Sequence, residues 1–399
     1  MDILLISTLY PEPKKYGLMN DTKAVHYFAR EWVKMGHRVL VFHPYRNPLH
    51  KFISYRCGIK FTNIDGVNIA FGQNQLLIPH KNVPFAFQQE YLANKFLRYI
   101  RELFPHFVPD IVSVHFPLCS LPFAETVLRG LNFVGNVAYV YHWTDINLLQ
   151  KMTLKQREIV IKRLCNDSTR LLYRSYQLKN IANSLGVPKL GGDVVLSGID
   201  SSLIATDSDI KRKWGGKVSD NTIHFVYAGR LIRRKHVDRI IKVLASICKD
   251  VNFTFTIIGD GDQRTKLEEL VKEYGLCESV RFLGQQTREA VVKSMFDSDV
   301  FVMVSENETL GLVYLEAMAQ GCIPIGSRGE GIDGIIVSGQ NGYLVNPNKE
   351  NDLRSILLEI SNLSYNEKAN MARQAYDTAR IMTSYNMAKK YINCIQHVQ

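Results

Sequence analysis

The chain alternates short, continuously apolar runs with segments whose apolar residues recur at helical spacing. Residues 3–6 form an apolar run that is typical of a strand covered on both faces. Residues 22–35 have the spacing of an amphipathic helix, and residues 38–42 predict a second strand. Further strands are predicted at 110–116, 137–142 and 169–173, with helices near 118–129 and after Ser175. This order indicates a mostly parallel, doubly wound α/β domain.

A second cycle of strands and helices follows the polar stretch 201–220, which we interpret as a boundary with a short linker. Its strands are predicted at 223–228, 253–258, 279–283, 300–304 and 322–325, and residues 351–399 predict helices throughout. The 399 residues also exceed what a single core usually supports. We therefore predict Rossmann-like domains at 1–200 and 201–379, with a final helix near 380–399 that could pack back on the first domain.

Composition narrows the class of protein. The first residues lack a basic segment, and no run approaches the roughly 20 apolar residues of a membrane span. The seven cysteines are scattered without a CxxC pair, which favours free thiols in a reducing cytoplasm and argues against a zinc site. Most of the net charge of +11 lies in the first 200 residues. That excess suits an anionic partner, although solubility alone would also explain it.

Candidate chemistry is richest at residues 304–321, where a strand ends, a polar loop follows and a helix is predicted to start near Gly311. The loop carries Glu308, and the helix is apolar except for Glu316. Open backbone N–H groups at a helix start suit a diphosphate, and the two carboxylates could hold hydroxyls at two ends of one ligand. The alternative for Glu316 is a bond to nearby backbone or to a basic side chain.

A basic turn at residues 229–235 follows another predicted strand and contains Arg230 and Lys235. The carboxyl ends of parallel strands face the ligand crevice of open α/β sheets, and Arg and Lys both suit phosphate oxygens. A solvated basic turn is the alternative. Residues 257–264 superficially resemble a dinucleotide fingerprint, but Arg264 occupies the position of its third glycine. A tight strand-to-helix turn explains that segment better.

Two further candidates lie in the first half. His142 ends a predicted strand and could bond a sugar hydroxyl or a diphosphate oxygen, although a histidine there is more often structural. Gly17 lies in the loop after the first strand and could allow close approach of a ligand to the backbone. A plain turn explains Gly17 equally well.

Together these segments resemble family 4 of the retaining glycosyltransferases, which share the two-domain GT-B fold. The most specific part of the resemblance is the pair Glu308 and Glu316, with seven residues between them, within 305–321. Residues 229–235 resemble the family's diphosphate-binding turn, residues 195–200 the signature before its interdomain linker, and residues 334–345 a segment that closes its donor site. The resemblance covers nearly the whole chain.

The resemblance implies a role for each candidate residue. Arg230 and Lys235 would neutralise the donor diphosphate, Glu308 would hold hydroxyls of the donor sugar, and Glu316 those of the ribose. Amides at Thr309, Leu310 and Gly311 would contact sugar and diphosphate. His142 matches a histidine near the transferred sugar, and Gly17 a glycine loop that faces the diphosphate.

This sequence departs from the family's pattern at three positions. A single glycine, Gly17, stands where a pair is common, His236 stands where glycine is usual, and Leu310 replaces a frequent phenylalanine. The first departure weakens the assignment of Gly17. The other two bear mainly on local shape.

The implied function is a retaining, metal-independent transfer of a hexose from a nucleotide-diphosphate sugar, such as a UDP- or GDP-sugar, to a saccharide or lipid-linked glycan. Bacterial surface polysaccharide synthesis is the expected setting. We expect no cofactor and no metal, since no acidic pair of the DxD kind near a strand end makes a convincing manganese site. An epimerase or hydrolase-like enzyme on the same fold, or an inactive nucleotide-sugar-binding protein, are the alternatives. A nucleic-acid partner is disfavoured because the basic residues do not cluster with a stacking motif.

The acceptor prediction extends to a membrane surface. Residues 84–101 predict a helix that mixes aromatic residues with Lys95, Arg98 and Arg101, a composition that suits an interfacial helix. We therefore expect a cytoplasmic protein that can bind peripherally at the inner face of the cell membrane. The alternative is that Phe85, Phe96 and Leu97 simply pack on the sheet.

Overall fold

A computed structural model describes residues 1–10, 23–44, 58–73, 85–165, 169–187, 192–216 and 222–396. The chain divides into two compact units. Residues 1–174, 178–196 and 387–399 form the first unit, and residues 175–177 and 197–386 form the second. The main boundary therefore lies at 196/197, beside the predicted 200/201, and the last residues of the chain belong to the first unit.

Within the described residues, the first unit contains an eight-stranded sheet with the order β3-β4-β2-β1-β5-β6-β7-β8. All neighbours are parallel except β3 and β4. Its strands are β1 (Asp2–Ser7), β2 (Arg38–His43), β3 (Gly58–Ile64), β4 (Val67–Gln73), β5 (Ile111–His115), β6 (Asn136–Tyr141), β7 (Thr169–Tyr173) and β8 (Asp193–Val194). Its helices are α1 (Lys23–Lys34), α2 (Phe85–Leu103), α3 (Pro117–Gly130), α4 (Trp143–Lys151), α5 (Leu154–Leu164) and α6 (Tyr176–Ser184), whose first two residues belong to the second unit.

The second unit contains a six-stranded, all-parallel sheet in its described part, with the order β11-β10-β9-β12-β13-β14. The strands are β9 (Ile223–Ala228), β10 (Phe253–Ile258), β11 (Val280–Gly284), β12 (Val300–Val302), β13 (Ile323–Ser327) and β14 (Tyr343–Val345). The helices from here to the end of the chain are α7 (Asp207–Trp214), α8 (Val237–Ile247), α9 (Arg264–Glu273), α10 (Arg288–Phe296), α11 (Leu312–Met318), α12 (Glu350–Asn362), α13 (Tyr365–Ile381) and α14 (Ser384–Gln396).

The prediction of two doubly wound α/β domains is confirmed. The central strands are buried on both faces, as β1 shows with all six residues buried, because helices cover both sides of each sheet. In the second unit the chain starts at β9, proceeds outward to β11 and returns to β12 on the other side of β9. The connections therefore reverse direction between β9 and β12, and open α/β sheets bind ligands at such a switch point.

Three local predictions need correction. The polar stretch 201–220 is not only a linker, because α7 forms within it behind the capping residue Thr206. The hairpin of β3 and β4 was missed, although Asp65 and Gly66 have the positive φ angles of a tight hairpin turn and Asp-Gly is a known signal for one. The short strands β8 and β14 were also missed.

Helix α14 belongs mainly to the first unit. The indole N–H of Trp32 donates to the carbonyl of Ala388 at 3.0 Å, and the ring of Tyr391 meets those of Phe28 and Trp32 edge-on or tilted. Tyr391 and Ile395 are buried in that core. The last helix therefore completes the hydrophobic core formed by the first strands of the chain.

Candidate functional site

In the second unit, polar side chains gather at the carboxyl ends of three neighbouring strands. The basic turn follows β9, the loop with Glu308 follows β12, and a third loop follows β13. The strands β9, β12 and β13 are adjacent and parallel, so their carboxyl ends lie on one edge of the sheet. The sequence predicted the first two loops as a site, and the topology places both at the switch point.

Lys235 and Glu308 form the centre of this cluster. Lys235 ends a short 3-10 turn over Arg233–Lys235, and its side chain is buried. Its ammonium group donates to Oε2 of Glu308 and lies 3.4 Å from the sulfur of Met303. Burial lowers the pKa of Lys235, and the Glu308 carboxylate opposes that shift. The two predicted residues therefore form an ion pair whose partners are both largely shielded from water.

Arg230 has a different environment. Its side chain is exposed, and the described residues provide it with no recorded hydrogen-bond or ion-pair partner. Its backbone is fixed instead, because the Tyr227 hydroxyl donates to the Arg230 carbonyl at 2.9 Å. Arg234, which the sequence did not single out, lies 3.6 Å from Glu308 Oε2. Of the three guanidinium groups on this turn, those of Arg230 and Arg233 are exposed without a partner among the described residues, and that of Arg234 lies beside the Lys235–Glu308 pair.

The glycine turn after β10 supports the basic turn. A Cβ at Gly259 would lie 1.9 Å from the carbonyl oxygen of Gly229, so only glycine allows this approach. Leu231 N–H donates to the Asp260 carbonyl at 2.9 Å, and Gln263 N–H donates to the Leu231 carbonyl at 3.0 Å. The glycines therefore serve packing between two loops, in line with the tight-turn interpretation.

The start of α11 leaves backbone donors open. Gly311 caps the helix with a φ of 74°, a left-handed conformation that glycine adopts readily. Among the described residues, no acceptor is recorded for the N–H groups of Thr309, Leu310 and Gly311. The Leu310 side chain is buried in the core, so its contribution at the site would come from its backbone.

Glu330, in the loop after β13, was missed by the sequence analysis. Its Oε2 accepts from the backbone N–H of Glu308 at 2.8 Å. Burial raises the pKa of Glu330, while that bond lowers it. A carboxylate in a loop after a strand was the available signal, but the sequence could not show that it anchors the Glu308 loop.

Glu316 is paired within the second unit. Nη2 of Arg288, at the start of α10, lies 2.5 Å from Glu316 Oε1. Burial raises the pKa of Glu316, and Arg288 opposes the shift. This is the bond to a basic side chain that the sequence analysis held as the alternative. Any bond from Glu316 to a ribose would therefore form beside Arg288.

His142 lies in the first unit, at the N-terminus of α4, and is buried. Its ring stacks on Phe116 with centroids 3.8 Å apart, and its Nε2 is 3.0 Å from Nδ1 of His115. The Asp145 carboxylate accepts from the N–H groups of His142 and Leu118. Burial raises the pKa of Asp145 to about 7, and those bonds oppose the shift. The histidine is therefore held firmly, which both interpretations of His142 require.

Two predictions remain, the glycine loop at Gly17 and the interfacial role of helix α2. Gly17 lies outside the described residues. On α2, Phe96 and Leu97 are buried in the core, as the packing alternative predicts, while the Phe85 side chain is outside the described set. The basic groups of this helix are partly neutralised, since Arg98 pairs with Glu102 at 3.4 Å.

Among the described residues, no group of three or more His, Cys, Asp and Glu side chains could hold a metal ion. No helix in that part of the chain is long and apolar enough to cross a membrane.

Two family models match the chain in succession. The model described as Glycosyltransferase Family 4 matches residues 22–203, and that described as Glycosyl transferases group 1 matches residues 208–378. Together these matches span most of the chain. The first covers most of the first unit, and the second contains both the basic turn and the Glu308 loop.

Curated relatives of the chain are glycosyltransferases. One is the N-acetyl-alpha-D-glucosaminyl L-malate synthase of Bacillus anthracis, 28% identical over 59% of this chain and 61% of the relative. Another is the D-inositol 3-phosphate glycosyltransferase of Pseudarthrobacter chlorophenolicus, 25% identical over 62% of this chain and 61% of the relative. The matched segments thus span less than two thirds of either relative.

Solved structures share the fold over nearly the full length. Sucrose-phosphate synthase from Thermosynechococcus elongatus has a TM-score of 0.69 at 17% identity and covers 98% of both chains. The Anabaena protein HepE, solved with UDP and glucose, has a TM-score of 0.67 at 17% identity, over 98% of this chain and 99% of its own. The two family matches, which together span most of the chain, show that it belongs to glycosyltransferase family 4, and the two α/β units with the solved structures show the GT-B fold.

Proposed function

We propose that the protein transfers a hexose from a nucleotide-diphosphate sugar, with retention at the anomeric carbon and without a metal. The observation that carries the proposal is the Lys235–Glu308 pair at the switch point of the second unit, on the same turn as Arg230, whose side chain has no partner among the described residues. A cation for a diphosphate and a carboxylate for sugar hydroxyls are adjacent there. The sugar and the phosphates of one donor could therefore be bound side by side.

The chemistry requires stabilisation of a departing diphosphate. The acceptor oxygen forms a bond to the anomeric carbon as the bond from that carbon to the diphosphate oxygen breaks, and the acceptor's proton passes to the departing phosphate. Negative charge grows on the diphosphate during this step. Arg230, Lys235 and the open amides of Thr309–Gly311 would stabilise that charge electrostatically. No side chain needs to act as a conventional base.

A UDP- or GDP-sugar is the proposed donor. HepE, which shares the fold, has been solved with UDP and glucose, and both curated relatives carry names of sugar-transferring enzymes. Glu308 would bind hydroxyls of the sugar and Glu316 those of the ribose. His142 would lie near the transferred sugar, as the family resemblance implies.

The proposed acceptor is a saccharide or lipid-linked glycan of bacterial surface polysaccharide synthesis. The chain is similar to enzymes named for such pathways, including the lipopolysaccharide core glycosyltransferase LpsE of Rhizobium meliloti, 35% identical over 29% of this chain. A lipid-linked acceptor would require the first unit to reach an anionic membrane surface.

For that contact we choose α5 over α2, because Phe96 and Leu97 of α2 are buried and Arg98 is paired with Glu102. Leu154 and Ile159 of α5 are 72% and 54% exposed, and Lys155 and Lys162 are exposed on the same helix. Glu158 is the single acidic residue among four basic ones in α5. Exposed apolar groups beside unpaired lysines suit binding at an anionic interface.

The test is a panel of UDP- and GDP-sugars with and without saccharide acceptors, each assayed with and without EDTA. We expect one donor to raise the unfolding temperature by mass action and to yield a product with retained anomeric configuration by NMR, unaffected by EDTA. Release of free sugar without any transfer would indicate the hydrolase alternative. Donor binding without turnover under all conditions would indicate the inactive one.

A further inference from the structure

An unbroken chain of hydrogen bonds runs through the core of the first unit to His142. Ser113 Oγ lies 2.6 Å from the Tyr391 hydroxyl, which lies 3.1 Å from His115 Nε2. His115 Nδ1 lies 3.0 Å from His142 Nε2. Ser113, His115 and Tyr391 are completely buried, and His142 is 7% exposed. The four groups come from β5, from the N-terminus of α4 and from α14 at the far end of the sequence.

His115 and His142, the two histidines in this series of hydrogen bonds, are neutral at neutral pH. Burial lowers the pKa of His115 and of His142 well below the ordinary value, and the positive charge of Arg174 lowers both further. A neutral imidazole has one N–H and one lone pair. Each ring in the chain therefore donates with one nitrogen and accepts with the other.

Because both rings are neutral, the position of the proton on one ring determines its position on the other. If Tyr391 donates to His115, then His115 donates to His142, and His142 carries its own proton on Nδ1. If the direction is reversed, the proton of His142 is on Nε2, and Nδ1 presents a lone pair. The partner of one ring nitrogen thus decides what the other can offer.

We propose that Tyr391 and His115 are positioning residues that hold the His142 ring in a single tautomer, so that its Nδ1 has one defined hydrogen-bonding role. The inference rests on the proposed function, in which His142 bonds the donor. The stack on Phe116 and the Asp145 bond to the His142 backbone set the ring's place. Through His115, the Tyr391 hydroxyl is coupled to the position of the proton on the His142 ring.

The test replaces Tyr391→Phe, which removes the hydroxyl and keeps the ring that packs on Phe28 and Trp32. The matched control is Tyr173→Phe in β7, because the buried Tyr173 hydroxyl has no hydrogen-bond partner among the described residues. We expect kcat of Tyr391→Phe to fall about tenfold, since partners that orient functional histidines are worth roughly 10- to 100-fold at metal sites. Donor KM should change less than about twofold, and the control should match wild type in both.

Nitrogen-15 NMR measures the tautomer of His142, which should not change if Tyr391 has only a structural role. Wild type and Tyr173→Phe should show one neutral tautomer, and Tyr391→Phe should show a mixture or the other tautomer. Unchanged kcat and an unchanged tautomer in Tyr391→Phe would overturn the inference. His115→Gln, which also breaks the chain, should reproduce the kcat loss, and wild-type turnover in it would count against the inference as well.

The inference and the proposed function fail in different ways. Full turnover by His142→Ala would remove the proposed role of His142 at the donor, whatever the tautomer measurement shows. Loss of turnover in His142→Ala would support the role of His142 at the donor. If Tyr391→Phe then kept a single, unchanged tautomer, the positioning by Tyr391 would be refuted.

Discussion

Arg230 and Lys235 have the same predicted partner but opposite environments. Lys235 is buried and paired with Glu308, whereas Arg230 is exposed and unpaired among the described residues. Removing one member of a buried ion pair strands the other charge. Removing an exposed, unpaired group leaves the fold almost unaffected. The roles of the two residues can therefore be distinguished by the free energy of unfolding as well as by the transfer rate.

We predict that Arg230→Ala and Lys235→Ala each lower the transfer rate by about 10²–10³, as expected when a group that stabilises growing transition-state charge is lost. Lys235→Ala should also lower the free energy of unfolding by about 3 kcal/mol. Arg230→Ala should change it by less than about 0.5 kcal/mol. Steady-state kinetics and denaturant unfolding measure the two effects.

Arg233→Ala is the matched control, because Arg233 is exposed in the same basic turn and was not predicted to bind the donor. It should retain near-normal turnover. Equal losses in Arg230→Ala and Arg233→Ala would mean that the turn acts only through its general charge, and the specific assignment of Arg230 would be wrong.

His236 shows how a departure from the family pattern is accommodated. Its φ is 48°, in the left-handed region, which explains physically why glycine is usual at this position. Its Nε2 lies 3.1 Å from a carboxylate oxygen of Glu306, in the loop that carries Glu308. The side chain thus adds a contact between the two loops of the site at the expense of some backbone strain.

At the scale of elements, α2 and α5 both leave large apolar residues exposed, but α2 buries the two that the sequence singled out. Helix α2 has the apolar pattern that suggested an interfacial helix, yet Phe96 and Leu97 face the core. Helix α5 leaves Leu154 and Ile159 uncovered. A periodic pattern reveals that a helix has an apolar face, but it does not reveal whether sheet, solvent or lipid covers that face.

We predict that the double variant Leu154→Ser, Ile159→Ser and the double variant Lys155→Glu, Lys162→Glu each weaken binding to vesicles that contain anionic lipid. Each basic group near such a surface contributes about 1 kcal/mol, so reversing two lysines should lower binding at least tenfold. Co-sedimentation at low salt measures the effect, with purely zwitterionic vesicles as the reference.

The control for α5 is the charge reversal of Lys95, Arg98 and Arg101 on α2, which should leave vesicle binding nearly unchanged. If that variant abolishes binding while the α5 variants do not, α2 is the docking helix. If wild type stays in the supernatant with anionic vesicles, a soluble acceptor replaces the membrane-bound one.

At the scale of the whole molecule, the proposed site relies on fixed positive charge. Lys235, Arg230 and Arg234 lie on one turn of the second unit, and open amides at Thr309–Gly311 lie on a neighbouring strand's loop. Such preorganised charge can neutralise a departing diphosphate without a divalent ion.

We therefore predict that chelation with EDTA leaves kcat and the donor KM within about twofold of their untreated values. In Arg230→Ala, added Mg²⁺ or Mn²⁺ should restore part of the lost rate, because a free cation can then neutralise the phosphates. Loss of wild-type activity on chelation, with recovery on adding either metal, would show that a metal is required.

Much of the fold and part of the site follow from the sequence. Apolar runs that are buried on both faces specify parallel strands, and their alternation with amphipathic helices specifies two doubly wound units. The family resemblance placed Lys235 and Glu308 at one donor site, and the adjacency of β9 and β12 brings their loops together. Local pattern is enough to predict the elements, since each strand or helix depends on residues close together in the sequence.

The tertiary structure alone decided which partner each polar group has. Glu330 holds the Glu308 backbone across 22 residues, Arg288 pairs with Glu316 across 28, and Tyr391 reaches His115 across 276. Such contacts depend on strand order, on how each helix packs and on the path of the last helix into the first unit. No periodicity records them, because each joins a single side chain to a partner that is distant in the sequence. Burial then shifts the pKa of His115, Glu316 and Glu330.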